Sequence, residues 1–388
     1  MQITIQEIVN QLAQQLRLHS DTAQLDAQVL VAYHLQHSRS WILAHPDATL
    51  SQEQTGIILR SAARLEAGEP LPYVLGHWEF YGLDFILTPD VMIPRPETEL
   101  LVESAINWLR LHPQRRQVAD VGTGSGCIGI AIAKHIPDAH LVLIDITPAA
   151  LEVARRNAEN HGIMHQVELL QGDLLAGLAE PLDLVCANLP YIPTNDLERL
   201  QVANHEPHLA LDGGKSGIEV ISRLLCEAQG RLIAGGILLL EIEASQGRVI
   251  QELALKCYPQ SKVRLIQDLS GRDRCVEIER PTRIAHLCTP QEWLEQHTME
   301  DFRDQSLAQN GFIHCSQPEQ IIEVVHRYYR NYPEMVVLWI DPEKLVSEIR
   351  WEPSGDAFYP HVYGPINLDA IEATTPLHPG LDGTYSTI

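Results

Sequence analysis

Asp120-Val121-Gly122-Thr123-Gly124-Ser125-Gly126 comes directly after an apolar run, Val118 to Val121, and directly before a helix-like segment through Ile136. A glycine-rich turn between strand and helix lets backbone N–H groups approach a ligand and sets the positive end of the helix beside it. Working outward, strand-like and helix-like stretches alternate: Leu141 to Ile144, a helix from Pro148 to about Asn160, then Val167 to Leu170, Leu184 to Ala187, Ile237 to Ile242, Val263 to Gln267 and Cys275 to Ile278. The βαβα order predicts an α/β, Rossmann-like domain with a doubly wound, mostly parallel sheet of seven strands. The last two runs, joined across Asp268 to Asp273, are close enough to pair antiparallel.

The loop admits two cofactor readings. Gly124 to Gly129 spells GxGxxG, the pattern of a nicotinamide dinucleotide site. The register Asp-x-Gly-x-Gly-x-Gly aligns better with the strand, and it puts the Asp120 carboxylate where a diphosphate would be repelled. An acid there suits a ligand with an α-ammonium group and no phosphates, as at the methionine end of S-adenosylmethionine. Gly122, Thr123, Gly124 and Gly126 complete the expected cradle. Asp145 ends the second strand, where a carboxylate can accept hydrogen bonds from both ribose hydroxyls. Asp173 follows the third, at the position where class I methyltransferases commonly contact the adenine amino group.

Asn188-Leu189-Pro190-Tyr191 follows the fourth strand. Methylating an amide nitrogen is difficult because its lone pair is delocalised into the carbonyl. A site that accepts both N–H hydrogens in fixed geometry turns the lone-pair direction toward a methyl donor. Asn188 offers a side-chain carbonyl and Leu189 a backbone carbonyl. Pro190 stiffens the turn and Tyr191 presents a ring to a planar group. A post-strand turn with a packed Tyr is the plainer alternative, since Asn and Pro are common turn residues. Exocyclic amino groups of adenine pose the same geometric problem, so an adenine-N6 methyltransferase acting on DNA or RNA is the competing enzyme reading. A scaffold that binds without catalysis is the competing non-enzyme reading.

Taken with Gly68-Glu69-Pro70 and Ile93-Pro94-Arg95-Pro96-Glu97-Thr98-Glu99, these motifs resemble those of the release-factor glutamine N5-methyltransferases, the PrmC/HemK family, over roughly Ile3 to Arg280. The resemblance implies a class I methyltransferase fold, S-adenosylmethionine as cofactor, and the Gln of the Gly-Gly-Gln loop of peptide-chain release factors as acceptor. It implies that Asn188 and the Leu189 carbonyl orient the Gln amide, that Asn188 also borders the cofactor, that Tyr191 lines the slot, and that Arg95 and Glu97 shape the entrance. The family usually has Asn-Pro-Pro-Tyr; Leu189 stands at the first Pro position, so the carbonyl survives and the fixed φ does not. The implied division is a helical substrate-recognition domain over 1–70, a hairpin linker over 71–96, the methyltransferase over 97–280 and an accessory domain over 281–388.

Composition agrees with that division. A chain of 388 residues with 45% apolar content supports two or three domains with real cores. A net charge of −23 argues against extended contact with a phosphate backbone and favours a protein or small-molecule substrate. No apolar run is long enough to cross a bilayer and no signal peptide opens the chain, so a cytoplasmic location is expected. Seven cysteines without a CxxC pair predict thiols that are mostly small buried core residues, not disulfides. Apolar residues at helical spacing from Ile3 to Arg64 predict a small bundle, with Asp21 and Ser51 as N-caps and His34 and His37 as ordinary helix-end residues. Aromatics alternating around Gly82 predict a hairpin.

After Pro281 the pattern resets. Strands are expected over Arg283 to Leu287, Phe312 to His314 and Met335 to Ile340, with a helix from about Glu319 to Tyr329. Gly311 to Ser316, with its Phe-Ile-His-Cys-Ser core, and Pro360-His361-Val362-Tyr363-Gly364 resemble a family of small bacterial domains of unknown function, distantly similar in fold to ADP-ribosyltransferases. That resemblance implies a C-terminal α+β domain in which His286, His314, Ser316 and His361 line a nucleotide pocket, or a partner-binding appendage with hydrogen-bonded histidines. A zinc site would need His286, Cys288, His314 and His361, whose spacing fits no standard pattern, so no metal is expected.

Overall fold

The computed structural model describes residues 3–330, 332–354, 357–379 and 385; the outermost ends of the 1–70 and 281–388 segments lie outside the described residues. Helices α1 (Ile5–Leu16), α2 (Ala23–Leu35), α3 (Arg39–Ala44) and α4 (Gln52–Glu66) form the expected bundle. Thr4 with Glu7, and Ser51 with Gln54, make reciprocal capping boxes that satisfy the first free N–H groups of α1 and α4. Asp21 is not a cap: Thr22 precedes α2, and the first turn is drawn together by Asp26, which accepts from Ser20 and Thr22. Ile8, Leu12, Leu30 and Ile58 lie at the centre of this bundle.

A short helix α5 (Leu71–Leu75) leads into strands β1 (His77–Phe80) and β2 (Leu83–Ile86), paired antiparallel. Tyr81 and Gly82 between them both have positive φ, 51° and 72°, the two-residue turn whose twist matches a hairpin. Phe80 and Phe85 are buried against the central domain, so the linker is packed and not a loose tether.

The central sheet has the order β5-β4-β3-β6-β7-β9-β8, from β3 (Gln117–Val121), β4 (His140–Asp145), β5 (Val167–Gln171), β6 (Leu182–Ala187), β7 (Leu232–Glu241), β8 (Lys262–Gln267) and β9 (Asp273–Glu279). The first five in that order are parallel, while β9 runs antiparallel to both β7 and β8. Alternation along the strands fills two cores. Val118, Leu143, Leu184 and Leu239 face α6 (Glu99–Leu111) and α7 (Cys127–His135). Val121, Ile144, Val185 and Leu240 face the opposite layer. That layer holds two of the later helices; α8 (Pro148–Asn160) precedes β5, a one-turn α9 (Thr194–Leu197) follows β6, and α10 (Glu219–Ala228) and α11 (Gly247–Cys257) pack here. Strand β7 begins five residues before the expected Ile237, because Gly235, at φ +73°, and Gly236 let the chain bulge and continue.

Beyond Glu279 a smaller α+β unit follows. It holds β10 (Ile284–Cys288), α12 (Pro290–Gln296), β11 (Asp301–Phe302), α13 (Gln305–Asn310), β12 (Ile313–His314), α14 (Ile321–Tyr328), β13 (Met335–Ile340), β14 (Glu348–Ser354), β15 (Ala357–Tyr363), β16 (Ile366–Asn367) and β17 (Ile371–Leu377). Two three-stranded sheets, β10-β13-β17 and β12-β15-β14, and the pair β11-β16 enclose Phe302, Ile313, Leu338 and Val362. Cys127, Cys186, Cys275, Cys288 and Cys315 are buried and all seven cysteines are free thiols. Among the described residues no helix is long and apolar enough to cross a membrane.

Candidate active site

Strands β3 and β6 are neighbours, but the chain leaves β3 toward β4 and leaves β6 toward β7. This divergence opens a crevice at the carboxyl ends of the strands, where open α/β sheets bind ligands. Val121 pairs with Ala187, so the next residues, Gly122 and Asn188, stand side by side at its floor. The N–H groups of Gly122 and Thr123 both reach the Ile144 carbonyl at 2.9 Å, which folds the glycine loop back over the sheet. A Cβ on Gly126 would lie 2.8 Å from Ile130 and 3.2 Å from Ala154, so that glycine serves the packing of α7 against α8.

One cavity is walled by Gly122, Thr123 and Gly124 from this loop, Asp145, Asp173, and Asn188-Leu189-Pro190. The cofactor and acceptor motifs therefore meet in one place. The linker closes it with Asp90, Val91, Met92 and Pro94. Asp145 divides its carboxylate between the Gly124 N–H (2.9 Å) and Thr147, whose N–H and hydroxyl reach it at 2.9 and 3.0 Å. Asp173 is half exposed and paired at 2.8 Å with Arg223, which also lines the cavity.

Five expected site residues do not line it. Gly126 lies behind the loop, as above. Asp120 is wholly buried, and its Oδ2 accepts from Thr123 Oγ1 (2.6 Å) and the Gly129 N–H (2.9 Å). It shapes the loop from beneath, because Gly129 has no side chain to keep it from the α7 backbone. Burial pushes its carboxyl up to about 6. Tyr191 sits past the acceptor turn with Arg95, Glu97, Glu241 and Arg274 about its phenol, which burial pushes up to about 12. Arg95 pairs with buried Glu206, which also accepts the Ile93 N–H at 3.2 Å. That pair straps the linker to the loop after Asn188.

Leu189 is buried, and a Cβ on Gly122 would lie 3.0 Å from its Cδ2. A packed side chain thus holds the acceptor turn where a proline ring is usual. Asn188 Nδ2 lies 3.1 Å from Thr98 Oγ1. Asn157 is fully buried on α8 and bonds the Ile86 N–H (2.7 Å), the Ile86 carbonyl (3.0 Å) and the Ser125 carbonyl (2.8 Å), tying linker, helix and glycine loop together. Sequence reasoning passed over Thr98, Asn157, Arg223 and Glu241. Asn157 was findable, as a polar residue on the apolar stripe formed by Ala150, Val153, Ala154 and Ala158.

In the C-terminal unit the three expected histidines lie next to one another. His314 Nδ1 meets His361 Nε2 at 3.3 Å, and His361 Nδ1 bonds Glu352. His286 is buried behind them, with Nδ1 2.8 Å from the His314 carbonyl and Nε2 3.6 Å from Asp304. Ser316 is buried in a backbone pairing with Ala285, and Cys288 belongs to the apolar core. Among the described residues no group of three or more His, Cys, Asp or Glu side chains is placed to hold a metal ion.

The main cavity fits one cofactor better than the other. Its one cationic side chain, Arg223, is already paired with Asp173, so no free side-chain cation is left to meet a diphosphate. A Cβ on Gly124 would project into open space, so bare backbone faces the ligand between two strand-end carboxylates. Fold and site together define a class I methyltransferase whose cofactor is S-adenosylmethionine. Family models match in three places: the methyltransferase small domain over 97–205, the PrmC N-terminal domain over 7–76, and a protein of unknown function (DUF952) over 287–374. The release factor glutamine methyltransferase of Moorella thermoacetica is 42% identical over 254 residues, spanning 65% of this chain and 89% of its own length. That of Coxiella burnetii is 35% identical over 279 residues, spanning 72% and 99%. The solved structure of protein CC0527 from Caulobacter crescentus is 28% identical, covers 27% of this chain and 94% of its own, and has a TM-score of 0.26. This chain belongs to the release factor glutamine methyltransferase family.

Proposed function

We propose that the chain methylates the side-chain amide nitrogen, N5, of the Gln in the Gly-Gly-Gln loop of peptide-chain release factors. The observation that carries this reading is that Asn188-Leu189-Pro190 and the loop Gly122 to Gly124 wall the same cavity. When bound there, S-adenosylmethionine supplies an electrophilic methyl group on a sulfonium. Gly122, Thr123 and Gly124 give it a backbone cradle, with Asp120 holding that loop from below. Asp145 takes the ribose hydroxyls and Asp173 the adenine end. Asn188 Oδ1 and the Leu189 carbonyl accept the two N–H hydrogens of the Gln amide, so its lone pair is aimed by hydrogen bonds and not by chance. Pro190 stiffens that turn, while Tyr191, Arg95 and Glu97 form the protein-facing side of the acceptor slot. The amide proton is then lost to water.

In this reading residues 1–70 dock the release factor, 71–96 strap that helical part to the site, 97–280 carry the chemistry in the cytoplasm, and 281–388 are accessory. The test is transfer of a labelled methyl from S-adenosylmethionine to a purified release factor, beside the same factor with its loop Gln changed to Ala and beside DNA and rRNA. Label on the Gln-containing protein alone is the expected result. Label on nucleic acid would overturn the reading in favour of adenine-N6 chemistry.

A further inference from the structure

An Asn side chain carries an acceptor and a donor that exchange places on a half-turn of its amide. If Asn188 turned its NH2 group to the substrate, donors would face donors and the amide would not be held. The facing of Asn188 is therefore part of the chemistry, and something in the chain has to fix it.

Three observations converge on the means. Asn188 Nδ2 lies 3.1 Å from the hydroxyl of Thr98, which is 2% exposed and ends the turn Pro96–Thr98. Ala187 pairs with Leu240 in the sheet, so the residues that follow, Asn188 and Glu241, are neighbours at the strand ends. Glu241 is 4% exposed and carries a buried carboxylate oxygen without a hydrogen-bond partner, with the donor groups of Thr98 and Asn188 close enough to stabilise its charge. A buried acid with an oxygen left unpaired is an expensive feature to keep.

We propose that Thr98 and Glu241 are positioning residues that set the Asn188 amide. The Glu241 carboxylate takes the Thr98 hydroxyl proton, which leaves Thr98 Oγ1 only lone pairs to offer Asn188 Nδ2, and so leaves Asn188 Oδ1 for the substrate. The inference rests on the reading of Asn188 as the amide acceptor. A carboxylate can only accept, so the relay has one direction. A protonated carboxyl can donate to Thr98, whose proton then goes to Asn188 and turns the amide over.

Burial lifts the Glu241 carboxyl to about 7, with Glu97 adding to the rise and Thr98, Arg274 and Asn188 opposing it. Tyr191, Cys275 on β9 and Cys127 at the start of α7 are the other titratable groups that sense it. Turnover should therefore fall as pH drops through about 7.

The experiment uses the full chain, labelled S-adenosylmethionine and purified release factor. Thr98→Val keeps the shape and removes the hydroxyl; kcat should fall about tenfold, the worth of one hydrogen bond. KM should move by less than about twofold, because the loss falls on orientation and not on docking. Thr98→Ser should recover most of the rate. In an Asn188→Ala background Thr98→Val should cost nothing more, since both act on one group. Glu241→Gln should erase the acid limb near pH 7. Full turnover in Thr98→Val, an undiminished Thr98→Val loss in the Asn188→Ala background, or an unchanged acid limb in Glu241→Gln would each overturn the relay while the substrate reading stands. Wild-type protein that labels no glutamine would overturn that reading and the relay with it. Melting transitions accompany each variant, and the serine variant and the pH limb decide the matter where valine alone unfolds the site.

Discussion

The Arg280 guanidinium meets the Asp341 carboxylate at 2.6 Å with both side chains almost wholly out of water, 3% and 0% exposed. Arg280 follows β9 of the central sheet, whereas Asp341 follows β13 of the C-terminal unit. Arg280 also donates to the Leu232 carbonyl, and Glu343 accepts from the Gln260 N–H (3.2 Å) and Ser261 hydroxyl (3.0 Å). The appended unit is thus locked to the sheet by a desolvated ion pair. Removing Asp341 leaves the buried Arg280 only the longer ionic contact to Glu343 at 3.7 Å, so Asp341→Ala should cost about 3 kcal/mol in denaturant unfolding, and apolar residues at both Arg280 and Asp341 should recover part of it. Methyl transfer below the unfolding transition should be little changed.

Asn157 offers a test of the strap between linker and glycine loop. Asn157→Ala orphans the half-buried Ile86 N–H and two carbonyls, at a cost of about 1–3 kcal/mol. Calorimetric titration should show weakened S-adenosylmethionine binding. Wild-type affinity in that variant would mean the loop holds its shape without the linker.

Asn188→Ala should separate binding from turnover. Cofactor affinity is expected to stay near wild type while turnover on release factor falls by about a hundredfold or more, the scale of losing one preorganised polar group in an active site. Normal turnover would remove Asn188 from the acceptor role.

Asp120 carries a pH signature. Its carboxyl titrates near 3.8 when unperturbed and, because burial disfavours the charge, near 6 in the fold. Between those values the folded chain binds more protons than the unfolded one, so the Asp120 contribution to stability is full below pH 4 and is lost as pH rises through 6. Wild type compared with Asp120→Asn by denaturant unfolding should do relatively better at pH 4 than at pH 7. A difference that does not change with pH would show that Asp120 titrates normally.

Much of the fold was legible because strand and helix periods are local. The seven central strands lie within a few residues of their expected runs, save for the early start of β7, and α8 spans the expected Pro148–Asn160. Strands β14 and β15 escaped notice for equally local reasons. Glu348, Arg350 and Glu352 give β14 a charged face, and Pro360 interrupts β15 although it is the middle strand of its sheet. The site was legible as motifs but not as contacts. Arg95 is taken by Glu206, 111 residues on, and Asn188 by Thr98, 90 residues back. Asp120 turns away from the cavity because of a missing side chain at Gly129, which no strand pattern announces.

The reversed direction of β9 decides where the polypeptide goes next. A parallel last strand would have delivered Arg280 to the rim of the crevice, and anything fused there would crowd an incoming macromolecule. Running the other way, β9 releases the chain at the sheet's opposite end, beside Gly235 and Gly236. The unit that follows adds about a hundred residues on the side away from the mouth of the enzyme, held to the sheet by the buried contacts of Arg280.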